Sequence, residues 1–263
     1  MRIGRAAGST GATTSPAIAK VGGNEVIMPT AINKQRVINH IFTALKKRYE
    51  PAEPEVRPVL EQFLYAVCRE GASRRQADEA YQNLRKCFYD WNEVRVSSPR
   101  EIEEALGDIP DSAARAHRLV SFLQEVFETT YSFDLESLHK KGMKQAAKQL
   151  SRYEAASDYA VAWVVQKSLG GHAIPMDDKT LDAMKTLGLI DCESGSMEEV
   201  RASVEHLVPK AKGSLFVELM TELAHDEGWE EDPRSPMRSF IHGDGLEEEP
   251  AVVPERSIKM KPR

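Results

Sequence analysis

Two adjacent carboxylates, Asp177 and Asp178, stand at the start of a segment with helical spacing, 178–187. A carboxylate there can accept a backbone N–H and cap the helix. Set beside a reacting carbon, the same group can stabilise developing positive charge and position or deprotonate a water. Upstream, His139, Lys140, Lys141, Lys144, Lys148 and Arg152 form a basic group in which Lys140, Lys144 and Lys148 recur every fourth residue. Such a row either tracks a phosphate backbone, giving salt-dependent binding, or is an ordinary solvated helix face. Tyr153, Tyr159 and Trp163 offer rings on which a base can stack. Tyr159 and Trp163, four apart in an apolar helix, read better as core. His172, in GGHAIP, reads as a loop residue, Asp158 as a solvated residue in a first helical turn, and Lys46, Lys47 and Arg48 as complements to a helix dipole.

Other chemistries find little support. Cys68, Cys87 and Cys192 stand far apart with no CxxC pair, which excludes a disulfide framework and a four-thiolate zinc or iron–sulfur site built from this chain. No His, Asp or Glu grouping has convincing metal-ligand spacing, so no cofactor is expected. The longest apolar runs, such as Tyr159–Val165, are far short of the ~18–20 residues of a membrane span. The N-terminal MRIGRAAGSTGATTSP lacks the apolar segment of a signal peptide, and a cytoplasmic location is expected. The net charge of −6 is concentrated: Glu222–Pro250 holds ten acidic residues against Arg234 and Arg238, leaving the rest near neutral and locally basic.

The elements that must position these groups are helical. Val37, Ile38, Ile41, Leu45 and Tyr49 form one stripe, and Leu60, Phe63, Leu64 and Val67 another, with Gly71 as a stop. Ser73 is the expected N-cap of a helix burying Ala77, Ala80, Tyr81 and Leu84, and Ser98 precedes Pro99 at a first helical position. Further helices are expected at about 112–129, 142–151, 157–169, 177–187, 197–206 and 213–225. With no clear hairpin signal, the reading is an all-α protein of about ten helices. Residues 1–30 read as a flexible arm, and 228–263, acidic and proline-rich, as a solvated, disordered tail.

The stretch DLESLHKKGMKQAAKQLSRYEAASDYAVAWVVQKSLGGHAIPMDDKTLDAMKTLGLI resembles the endonuclease III-like DNA glycosylases of the helix-hairpin-helix superfamily. Leu150, Ser151 and Ala160 match the ends of the family's hairpin pattern L-S-x-P-G-[IV]-G-x-K-T-A. Asp177 matches the aspartate of its second motif, and Leu187, Gly188 and Leu189 that motif's closing LGL. RKCFYDWNEVRVSSPREIEEAL and FLYAVCREGASRRQADEAYQNL resemble two further family segments, so the similarity runs in order over about 55–225.

The resemblance implies a two-lobed fold, with a barrel module at about 72–180 and a second lobe from 31–71 and 181–227. It implies a monomer that binds double-stranded DNA in a basic cleft and hydrolyses the glycosidic bond of a damaged or mismatched base. It places Asp177 in the chemistry, Asp178 taking that role if the register slips by one. Lys140, Lys144, Lys148, Arg152, Tyr153 and Ser157 fall on the DNA side, and Glu70 falls where the family inserts a glutamine wedge, beside Arg69. The departures are specific. Glu154 and Ala156 replace the hairpin glycines that bring backbone N–H groups against phosphate. Asp158 replaces the catalytic lysine, so Schiff-base lyase chemistry has no amine there. The rival reading is a non-catalytic descendant that keeps the fold as a DNA- or protein-binding module.

Overall fold

A computed structural model of the chain describes residues 18–21, 24–27, 31–51, 55–190, 196–232, 234, 235 and 237. The described residues form eleven α-helices: α1 (Ala31–Arg48), α2 (Val59–Arg69), α3 (Arg74–Cys87), α4 (Trp91–Val96), α5 (Pro99–Leu106), α6 (Ser112–Thr130), α7 (Met143–Leu150), α8 (Asp158–Lys167), α9 (Asp178–Thr186), α10 (Met197–Leu207) and α11 (Lys210–Ala224). A 3-10 turn, Glu136–Lys140, leads into α7. Ser73 and Ser98 close capping boxes with Gln76 and Glu101, as their positions in the sequence imply. The short helix α4 is additional; Asp90 starts it by accepting the Glu93 N–H at 2.8 Å.

The all-α reading holds for the body of the protein, with one exception in the segment expected to be a flexible arm. There β1 (Ile18–Val21) pairs antiparallel with β2 (Asn24–Ile27), Ile18 opposite Ile27 and Val21 opposite Asn24. Only Gly22 and Gly23 stand between them in sequence, and a Gly-Gly pair flanked by apolar residues is itself a hairpin signal. The rest of that arm lies outside the described residues.

Two apolar cores organise the helices. The first is built from α2 to α8, with Phe63 and Phe122 stacked at its centre, ring centroids 3.7 Å apart. The second gathers α1, α9, α10 and α11 around Ile41, Leu45, Met184, Phe216 and Met220. The division differs from the lobes drawn on sequence in two places. All of α2 packs in the first core, because its apolar stripe faces α3 and α8, whereas Ile174 and Met176 already belong to the second. Trp229 and Met237, in the stretch expected to be a solvated tail, are buried in the second core. Arg48 fastens that stretch by pairing with Asp226 at 2.7 Å and Asp232 at 2.8 Å. Most of the remaining tail lies outside the described residues.

No described helix is long and apolar enough to cross a membrane. The Phe63–Phe122 stack sets an expectation for stability. Phe122→Ala removes that ring and the edge-on contact of Tyr153, 5.1 Å from it, and should cost about 3–5 kcal/mol in urea unfolding.

Candidate active-site cleft

The α2 helix ends at Arg69, and Glu70 and Gly71 turn the chain out of it. Gly71 has φ +69°, a left-handed conformation that L side chains rarely adopt. From that turn its N–H donates to Asp177 Oδ2 at 2.9 Å. Asp177 Oδ1 accepts the Thr180 N–H at 2.8 Å and so caps α9. The capping role read from the sequence is therefore real, but one carboxylate also joins the end of α2 to the start of α9. Its negative charge meets two backbone N–H dipoles and the positive end of a helix. Asp177 is only 7% exposed, yet it borders a cleft of about 560 Å³ between the cores.

The arginines in that cleft are already engaged. Arg115, 5% exposed, donates to the carbonyls of Pro110 at 2.6 Å, Cys68 at 3.2 Å, Val67 and Glu70, gathering the carbonyls at the end of α2. Burial lowers its pKa. Arg118 pairs with Glu70 at 2.8 Å and donates to Ser157 Oγ at 3.0 Å. Five carboxylates line the cleft (Glu70, Asp111, Asp158, Asp177, Asp178) against three cations (Arg115, Arg118, Lys179). The expected basic cleft is thus not found; the lining carries an excess of acid. Asp158, in the lysine position of the resembling family, is at the cleft with its closest ion-pair partner, Arg201, 4.0 Å away.

The hairpin at 151–157 joins α7 to α8 without any residue at positive φ. One face of α6 holds it in place, through residues spaced i, i+4 and i+7. Arg118 reaches the Ala155 carbonyl at 3.3 Å, Phe122 packs on Tyr153, and Glu125 accepts the Glu154 N–H with both oxygens at 3.1 Å. A carboxylate thus occupies a hairpin N–H of the kind that the resembling family offers to phosphate.

Several residues expected on the DNA side are elsewhere. Tyr153 is a core residue, because its ring fills the space beside Phe122. Arg69 is 3% exposed, enclosed near Glu222 at 3.6 Å, and is not available to a duplex. Glu70 is held by Arg118 and by Ser157, whose hydroxyl donates to it at 2.8 Å, so neither Glu70 nor Ser157 is free. Ser157 also caps α8 by accepting the Ala160 N–H. Lys140, Lys144, Lys148 and Arg152 are exposed and have no ion-pair partner among the described residues. They do not share one helix, since Lys140 ends the 3-10 turn and Gly142 precedes α7. Sequence reasoning missed Arg115, Arg118 and Glu125, whose types and spacing look like any solvated helix face.

No family model and no curated protein matches the chain at the sequence level. Solved structures do match its fold. A non-covalent endonuclease III–DNA complex superposes with a TM-score of 0.61 at 15% identity, covering 79% of this chain and 94% of that one. A thermostable thymine-DNA glycosylase gives 0.55 at 16%, covering 78% and 90%. The 8-oxoguanine glycosylase/lyase of Clostridium acetobutylicum, bound to DNA, gives 0.56 at 13%, covering 73% and 70%.

Asp177→Asn keeps one acceptor for Thr180 and turns its amide towards the Gly71 N–H, setting donor against donor. It should lower stability by about 1–3 kcal/mol in urea unfolding and leave helix content by circular dichroism unchanged.

Proposed function

We propose that this chain, which has the helix-hairpin-helix fold of the endonuclease III-like DNA glycosylases, is a DNA-repair glycosylase. It binds double-stranded DNA containing a damaged or mismatched base and hydrolyses that base's N-glycosidic bond. The observation that carries this reading is the seat of Asp177, an acid fixed by two backbone donors at the edge of an inter-core cleft. When the bond from C1′ to the base breaks, the electron pair leaves with the base and positive charge develops on the sugar. A rigid carboxylate beside that carbon stabilises the charge and accepts the proton of the attacking water. Asp158 has no amine with which to form a Schiff base, so the reaction stops at hydrolysis.

Phosphate contacts fall outside the acidic cleft, on the unpaired cations Lys140, Lys144, Lys148 and Arg152 beside the hairpin; only the base enters the cleft. On this reading the protein works as a cytoplasmic monomer without metal or prosthetic group. Glu125, seated on the Glu154 N–H, favours a second reading. There the hairpin no longer takes phosphate, and the protein is a non-catalytic DNA- or protein-binding descendant of the fold.

The test is base release and binding measured together on duplexes carrying single uracil, hypoxanthine, 8-oxoguanine or alkylated bases. The glycosylase reading expects release by the wild type. Asp177→Asn should reduce the rate about 10²–10⁴-fold with binding retained, and borohydride should trap no covalent complex. Lys144→Gln and Lys148→Gln should each lower the salt slope of binding by about one. Salt-sensitive binding without release on every lesion would sustain the second reading instead, and absence of binding would overturn both DNA readings.

A further inference from the structure

Tyr49, Tyr65 and Tyr81 each donate their hydroxyl to a carboxylate: Asp226 at 2.6 Å, Asp78 at 2.6 Å and Glu61 at 2.7 Å. Tyr159 is different. It is 2% exposed, and its hydroxyl is enclosed with no hydrogen-bond partner among the described residues. A buried hydroxyl left unpaired costs about 1–3 kcal/mol, so such groups in folded proteins call for a reason. The ring itself is well held. It stacks on Trp163 with centroids 5.9 Å apart and planes at 22°, and the Trp163 indole is in turn fixed by its hydrogen bond to Gln62 at 2.9 Å.

Tyr159 lines the same cleft as Asp177, alongside Met176 and Met197. Of the three cations lining the cleft, Arg115 is spent on the carbonyls of α2 and Arg118 on Glu70, which leaves Lys179, while the carboxylates only accept. We propose that the Tyr159 hydroxyl, closed off in this structure, is uncovered when a base enters beside Asp177 and is then the specificity-determining donor of this cleft, hydrogen-bonding a ring nitrogen or exocyclic oxygen of that base. This rests on the reading that the cleft takes a base. Burial raises the phenol's pKa well above its ordinary value, so it remains a donor throughout the neutral range. As the glycosidic bond breaks, its electron pair passes to the base and the acceptor becomes more basic. The hydrogen bond therefore strengthens towards the transition state, where an interaction raises kcat. No proton transfer is required of the phenol. A base presenting only N–H donors at that edge would be rejected, because the hydroxyl would again lack an acceptor.

Tyr159→Phe tests this without disturbing the ring. Removing an orphan hydroxyl should raise the Tm of the unliganded protein by about 2–4 °C for each kcal/mol recovered. Binding of free uracil, hypoxanthine, adenine and 8-oxoguanine to wild type and variant, followed by ligand-observed NMR, reads the donor directly. At least one base should bind the wild type, and the variant should bind it about tenfold more weakly. Equal affinity in the two proteins would overturn the proposal, as would a fall in Tm, which would reveal a structural partner for the hydroxyl. Failure of every free base to bind the wild type, while a duplex still binds, would also overturn it and leave the duplex-binding reading standing.

Discussion

Asp177 accepts one N–H from α9 and one from Gly71, and through this carboxylate the two apolar cores meet at the cleft. The geometry depends on both ends. Gly71 must be left-handed to present its N–H, and α9 must begin at Asp178 for Thr180 to supply the other donor. A second connection runs through charges: Lys167 on α8 meets Glu218 of α11 at 2.6 Å, while Arg74 of α3 lies 3.4 Å from Glu222. Breaking one partner of a buried pair leaves an uncompensated charge and costs more than the intact pair contributes. The cores are therefore joined by paired polar groups at their boundary, with the cleft between them.

The hairpin is held by different physics from the glycine-lined form of its resembling family. Arg118, Phe122 and Glu125 on one face of α6 contribute a cation for carbonyl and hydroxyl oxygens, a ring for Tyr153, and a carboxylate for a backbone N–H. With those partners, the turn needs neither positive φ nor close approach to an external anion. The consequence is electrostatic. Negative charge accumulates at the hairpin and in the cleft, and the uncompensated positive charge lies on the exposed stretch from Lys140 to Arg152. The surfaces available to a polyanion and to an uncharged base are thereby separated.

Much of the architecture was legible because helix signals are local. Apolar stripes at helical spacing, Ser73 and Ser98 with their partners three residues on, and Gly71 as a left-handed stop each depend on neighbours within a turn or two. Two segments differ from the pattern of local signals, for different reasons. Trp229 and Met237 sit in an acidic, proline-rich stretch whose composition suggests solvation, but Arg48, far away in sequence, anchors it at Asp226 and Asp232. The β1–β2 pair has a local signal, Gly22–Gly23 between two short strands, set in a segment whose Gly, Ala, Ser and Thr content otherwise suggests a flexible arm.

By itself, the sequence determined the helical class, most helix ends, the absence of a lysine at position 158 and the presence of an acid at 177, since these follow from residue type and short-range spacing. It could not decide which charges remain free. Arg69 reads as a binding residue, and Tyr153 as a stacking platform, until packing encloses them, whereas Arg115 and Arg118 read as a solvated helix face and are engaged at the cleft. The same packing encloses the Tyr159 hydroxyl without a hydrogen-bond partner among the described residues, in a side chain that borders the cleft of Asp177. Burial and hydrogen-bond satisfaction are set by contacts between residues distant in the chain, and only the tertiary structure brings those residues together.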